Sequence, residues 1–118
     1  MAKLEIGVGD VKKAAAEFVK TAHALEKGAT VRTREQLFFA DMPTLLKTLT
    51  SERWRLIEHL KRDGPLSINA LAQQLGRNYK NVHGDVKRLM DIGLVERLED
   101  GRIRVPFSSI IAELRMAA

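Results

Sequence analysis

Between Leu66 and Arg104 the chain carries two apolar stripes of helical period joined at a single glycine, followed by two short alternating runs around Asp100-Gly101. Leu71, Ala72 and Leu75 stand at i, i+1 and i+4 on one face of a short helix, and Val82, Val86 and Leu89 form the stripe of a second. Gly76 supplies a residue tolerant of positive φ between them, and Asn78 stands as the N-cap of the second helix, which the pattern starts at about Tyr79. Gly93 ends that helix. Leu94 to Arg97 and Arg102 to Val105 then read as paired strands, with Glu99-Asp100-Gly101 as the turn. This is the pattern of a helix-turn-helix followed by a β-hairpin wing, so the expected fold class is α+β.

The stripe of the second helix leaves Lys80, Asn81, His83, Gly84, Lys87 and Arg88 on opposite or flanking faces, where a recognition helix keeps the side chains that meet the DNA major groove. Arg77, Asn78 and Tyr79, at the turn and the helix start, join them as candidate DNA contacts. On the hairpin, Arg97, Arg102 and Arg104 are assigned to one basic face, opposite Val95, Ile103 and Val105, and are expected to lie along phosphates. The competing reading makes Lys80, Lys87 and Arg88 a solvated helix face and His83 an ordinary surface histidine, on a compact module that binds protein.

Upstream, Thr50 is a plausible N-cap of a helix with Glu52 in its first turn and Leu56, Ile57 and Leu60 directed inward; Asp63-Gly64-Pro65 ends it. Leu66-Ser67-Ile68 can form a short strand pairing with the hairpin, and Ser67 or Asn69 can cap the next helix. Asp41-Met42-Pro43 opens another short helix with Leu45, Leu46 and Leu49 as apolar positions. The first 40 residues read as an extension of strand, helix and strand: Leu4, Ile6 and Val8 alternate, Val11 to Leu25 has one apolar side, and Thr30 to Phe39 is extended. At the other end Ile110, Ala112, Leu114 and Met116 alternate as a strand, for which Lys3 to Val8 is the candidate partner, within one subunit or across a dimer. The expected divisions are 1–40, an extension and candidate dimerisation element; 41–107, the winged helix-turn-helix; and 108–118, a terminal strand or short helix.

A chain of 118 residues has room for one small domain or one domain with an extension. With no cysteine, disulfides, thiolate catalysis and cysteine-ligated zinc are excluded, which suits a reducing interior. No apolar run approaches a membrane span and Met1 to Val8 lacks a signal-peptide core, so a cytoplasmic protein is expected. The net charge of +5 favours polyanion partners without deciding the function. An enzyme is the weakest reading: His23, His59 and His83 fall on different predicted elements, His83 and Asp85 do not face each other, and Gly7-Val8-Gly9 lacks the rest of a phosphate loop. No cofactor and no metal are expected.

The runs Pro65 to Ala72, Leu75 to His83 and Gly93 to Arg97, with Val105-Pro106-Phe107 after the hairpin, resemble the small bacterial and archaeal MarR-like predicted transcriptional regulators that carry an N-terminal extension. The likeness is strongest over about Met42 to Phe107, and Tyr79-Lys80-Asn81-Val82-His83 is its most specific part. The resemblance implies a dimeric, winged-helix, duplex-DNA-binding regulator, and also the antitoxin half of a toxin–antitoxin pair that binds its operator and neutralises a toxin. The chain departs at Gly84, where relatives often carry a larger polar residue. The alternative is an antitoxin or adaptor whose essential surface binds protein and whose DNA contact is secondary or lost.

Overall fold

In the computed structural model, residues 2–9, 23–25, 30–33 and 35–114 are described, with the backbone alone for 23–25. They form an α+β fold that divides into two units, residues 1–48 with 107–118, and residues 49–106.

The first unit is built on a five-stranded sheet. Its strands are β1 (Ala2–Val8), β2 (His23–Leu25), β3 (Thr30–Arg32), β4 (Gln36–Phe39) and, from the far end of the chain, β7 (Phe107–Glu113), in the order β2-β3-β4-β1-β7. The central strand, β1, runs parallel to both neighbours, with Ile6 opposite Leu37 on one side and Ala112 on the other. Parallel neighbours require long crossover connections. Such a crossover is available on both sides, because β4 and β7 lie far from β1 in sequence. Alternation along the strands buries Leu4, Ile6, Val31, Leu37 and Phe39 on the core side. Helix α1 (Met42–Thr48) follows β4, its start held by the Asp41 carboxylate, which accepts from the Thr44 amide at 2.8 Å and the Thr44 hydroxyl at 2.6 Å. Those bonds keep the Asp41 carboxyl below its usual range.

Several expectations for this unit are corrected. The apolar pattern running to Leu25 predicts helix, yet His23–Leu25 is a strand paired antiparallel with β3; the part of the predicted helix from 10 to 22 lies outside the described residues. The extended stretch Thr30 to Phe39 is two strands, because Thr33 turns the chain: its hydroxyl accepts from the Gln36 amide at 3.1 Å and its own amide donates to the Gln36 carbonyl at 2.8 Å. The terminal strand starts at Phe107 and pairs with β1 of the same chain, so 107–113 belongs to this sheet and is no separate appendage. Met116 lies outside the described residues. The first division falls after Thr48, beyond α1, where the sequence pattern suggests Ala40. Of the three apolar positions of α1 and its end, Leu45 and Leu49 are buried and Leu46 is 56% exposed, since a helix of two turns has only one buried side.

The second unit has three helices and a hairpin: α2 (Ser51–Asp63), α3 (Ile68–Leu75), α4 (Tyr79–Asp91), β5 (Glu96–Arg97) and β6 (Ile103–Arg104). Every helix start is capped by the side chain of the residue before it. Thr50 accepts from the Arg53 amide, Ser67 from the Ala70 amide and Asn78 from the Lys80 amide. The apolar stripes converge on one core of Leu56, Ile57, Leu60, Leu71, Ala72, Val82, Val86, Leu89, Ile92, Leu94 and Ile103. Each fully buried leucine there contributes on the order of 2 kcal/mol by leaving water. Leu66 pairs with Ile103 through two backbone hydrogen bonds of 2.8 and 3.1 Å, which ties the segment between α2 and α3 to the hairpin. Gly64 stops α2 in a conformation with no space for a side chain: a Cβ would lie 2.4 Å from the Leu60 carbonyl oxygen.

Candidate nucleic-acid interface

The link between α3 and α4 is three residues of defined geometry, Gly76, Arg77 and Asn78. Gly76 adopts φ +64°, and Gly76 and Arg77 donate their amides back to the Gln73 and Ala72 carbonyls, closing α3 in a Schellman motif. Asn78 then caps α4, its side-chain oxygen accepting from the Lys80 amide at 2.8 Å and its carbonyl from the Val82 amide at 3.1 Å, so the chain turns and restarts a helix within three residues. A second Schellman closure, with Gly93 at φ +76°, ends α4 and sends Leu94 into the core.

Burial of Val82, Val86 and Leu89 fixes the rotation of α4. The opposite side exposes Tyr79, Lys80, Asn81, His83, Gly84 and Lys87, with Arg88 half-buried on the flank. Lys80, Gly84 and Lys87, spaced by four and three residues, fall on one line along the helix. Tyr79 is 50% exposed and its ring lies 5.9 Å from that of His83, one turn on. Neither α3 nor α4 has an acid in its first turn, whereas α2 has Glu52. Helices gain from a negative charge at that end, and the starts of α3 and α4 carry none of their own.

Arg77 is not part of this exposed row. Its Nη2 donates to the Asp85 carboxylate at 2.8 Å, Arg53 Nε donates to the other Asp85 oxygen at 3.0 Å, and Arg77 Nε lies 3.4 Å from Glu52. The side chains of Arg53, Asp85 and Arg77 are only 20, 16 and 21% exposed. The cluster joins α2, the turn and α4. It therefore positions α4, and the candidate contact role of Arg77 gives way to a structural one. Asn78 is exposed but its side chain is committed to the cap.

The hairpin departs further from expectation. Its register sets Glu96 opposite Arg104 and Arg97 opposite Ile103. Directly opposed residues share a face, so Arg97 lies on the side of Ile103 and Val95, away from Arg104. The supposed basic face carries an acid for each arginine: Arg104 Nε donates to Glu96 at 2.5 Å, and Arg102 Nε to Asp100 at 2.7 Å. Backbone and side-chain hydrogen bonds from Arg102 hold the Asp100 carboxyl below its ordinary value, so that pair stays ionised through neutral pH. Arg97 is exposed at the end of β5, and no ion pair holds it among the described residues. Leu98 and Gly101 close the turn, with Gly101 at φ +90°.

His59 bridges α2 and α3 through Gln74 at 2.6 Å, which sequence spacing did not suggest. Among the described residues no three His, Asp or Glu side chains converge as metal ligands, and no helix is long and apolar enough to cross a membrane.

The fold so described is an α+β chain whose distinctive unit pairs a capped helix–turn–helix sequence of elements with a short hairpin. The model of the family HVO_A0114 matches residues 48–112, more than half of the chain, and the protein belongs to that family. The match spans the whole second unit and most of β7. Searches of curated proteins and of solved structures return no match.

Proposed function

We propose that the second unit is a winged helix-turn-helix of the MarR-like kind and that the protein is a sequence-specific, duplex-DNA-binding transcriptional regulator, a repressor acting as a cytoplasmic homodimer. The observation that carries this reading is the exposed row on α4, where Lys80, Asn81, His83 and Lys87 stand opposite the buried stripe with no intrachain ion pair on either lysine among the described residues. A helix presented in this way fits the major groove, with residues near its start at the base edges.

In this mechanism Asn81 pairs bidentately with adenine, Lys80 reaches guanine acceptors, and Lys87, Arg88 and Arg97 neutralise phosphate. Tyr79 and His83 cover the sugar edge beside them. Arg102 and Arg104, already neutralised by Asp100 and Glu96, contribute little net charge. Catalysis and cofactors have no part in it.

A second reading, an antitoxin whose principal surface binds a toxin protein, is favoured by Ile111 and Leu114, which are 44 and 47% exposed at the end of β7. In this reading DNA binding through α4 is secondary or absent. Selection from a random duplex library separates the readings. The wild-type protein is expected to enrich a two-fold motif with half-sites about 10 base pairs apart, and Asn81→Ala to lose preference within each half-site. An unchanged motif with Asn81→Ala would remove this placement of α4, and no motif at all would favour the protein partner.

A further inference from the structure

Gly84 sits in the interior of α4, exposed, and a Cβ built on it meets nothing within 4 Å. Its φ is not in the left-handed region. Thus neither a turn nor a close neighbour among the described residues calls for glycine, although glycine is the least favourable helix-interior residue apart from proline. Gly76, Gly93 and Gly101, by contrast, stand at turns and have positive φ. Gly84 has no such reason, and it lies at the outermost line of α4, four residues after Lys80 and three before Lys87. The outcome is a notch of bare backbone between two cations.

We propose that Gly84 is a positioning residue for B-form DNA, its missing side chain letting the backbone of α4 rest on the base edges while Lys80 and Lys87 extend to either side. The inference rests on the reading of α4 as the DNA-binding helix. A helix with its side chains is about 10–12 Å across and the major groove about 12 Å wide, so depth is set by whichever atoms project furthest. A methyl group at Gly84 would hold the helix away by roughly 1.5 Å, one carbon–carbon bond. Hydrogen bonds from Lys80 and Asn81 to base edges weaken steeply over that distance. The A-form major groove of duplex RNA is too narrow to admit the helix, so the ligand class is duplex DNA.

The test compares the full-length wild type with Gly84→Ala on three probes: a DNA duplex enriched by the wild type from a random library, an unselected duplex pool of equal length, and an RNA duplex of the enriched sequence. Gly84→Ala is expected to melt about 2–5 °C higher, to lose at least tenfold in affinity for the enriched duplex, and to change less than threefold on the unselected pool. The wild type is expected to bind the RNA duplex no better than the unselected DNA pool. Equal affinity of both proteins for the enriched duplex would overturn the positioning role while leaving DNA recognition by α4 intact. A lower melting temperature for Gly84→Ala would overturn it by showing that the fold itself needs the glycine. Failure of the wild type to enrich or bind any duplex would overturn both readings.

Discussion

Replacing Asp85 with alanine is expected to destabilise the second unit by about 2–4 kcal/mol, a larger effect than any single substitution on the exposed face of α4. Asp85 accepts from Arg53 and Arg77 at 3.0 and 2.8 Å, and all three side chains are at least about four-fifths buried. Alanine would leave two guanidinium groups near each other without the carboxylate they share, Glu52 being half-exposed and 3.4 Å from Arg77. Removing one partner of a fully buried pair costs about 3–5 kcal/mol, and partial solvent access lowers that here. Chemical denaturation monitored by circular dichroism measures the loss directly. Asp85→Ala should also lower Tm by roughly 10–20 °C for a unit of this size. A change below about 0.5 kcal/mol would show the cluster to be an ordinary surface ion pair.

The second large effect concerns binding. Lys80→Ala combined with Lys87→Ala is expected to flatten the slope of log K against log salt by about 1.8, at roughly 0.9 for each phosphate-equivalent charge. Near 0.1 M salt the same relation gives roughly a 50-fold loss of affinity for duplex DNA. Both lysines are exposed, so Tm should be nearly unchanged. The matching double substitution on the hairpin, Arg102→Ala with Arg104→Ala, should change affinity less than about threefold, because the guanidinium groups already face Asp100 and Glu96. Anisotropy titrations of a fluorescent duplex across a salt series distinguish the two pairs. An equal loss from both would restore the hairpin as a phosphate-binding wing and remove the special role of α4.

The parts of this structure that could be read from the residues are those fixed by neighbours in sequence. The caps at Thr50, Ser67 and Asn78, the breaks at Gly64, Gly76 and Gly93, and the stripe Val82, Val86, Leu89 each act within a few residues, and α2, α3 and α4 follow from them. What could not be read depends on distant partners. Asp85 meets Arg53, 32 residues away, and its spacing alone places it only on the shoulder of α4 between the buried and exposed sides. A signal existed, since Asp85 is an acid directly before the buried Val86, and a group set so close to the core needs a cation. The neutralised hairpin was also within reach: once Glu99-Asp100-Gly101 is counted as a three-residue turn, Leu98 pairs with Arg102 and Glu96 lies opposite Arg104. The parallel placement of β1 between β4 and β7 is different in kind. Alternation in Ala2–Val8 shows a strand with one buried face but carries no information on which strands flank it. Apolar spacing also misled at His23–Leu25, where a short run next to a helical pattern is a strand because β3 provides its hydrogen bonds.

The account turns on α4 being the surface that meets duplex DNA, and the most direct measurement is a nitrogen–proton correlation spectrum of the labelled full chain titrated with a 20-base-pair duplex. The prediction is that the largest shifts fall on the amides of Tyr79 to Arg88 and the side-chain amide of Asn81, with smaller ones at Arg97, and that they fade as salt is raised. Shifts confined to β7, or a spectrum unaltered by duplex at low salt, would contradict it.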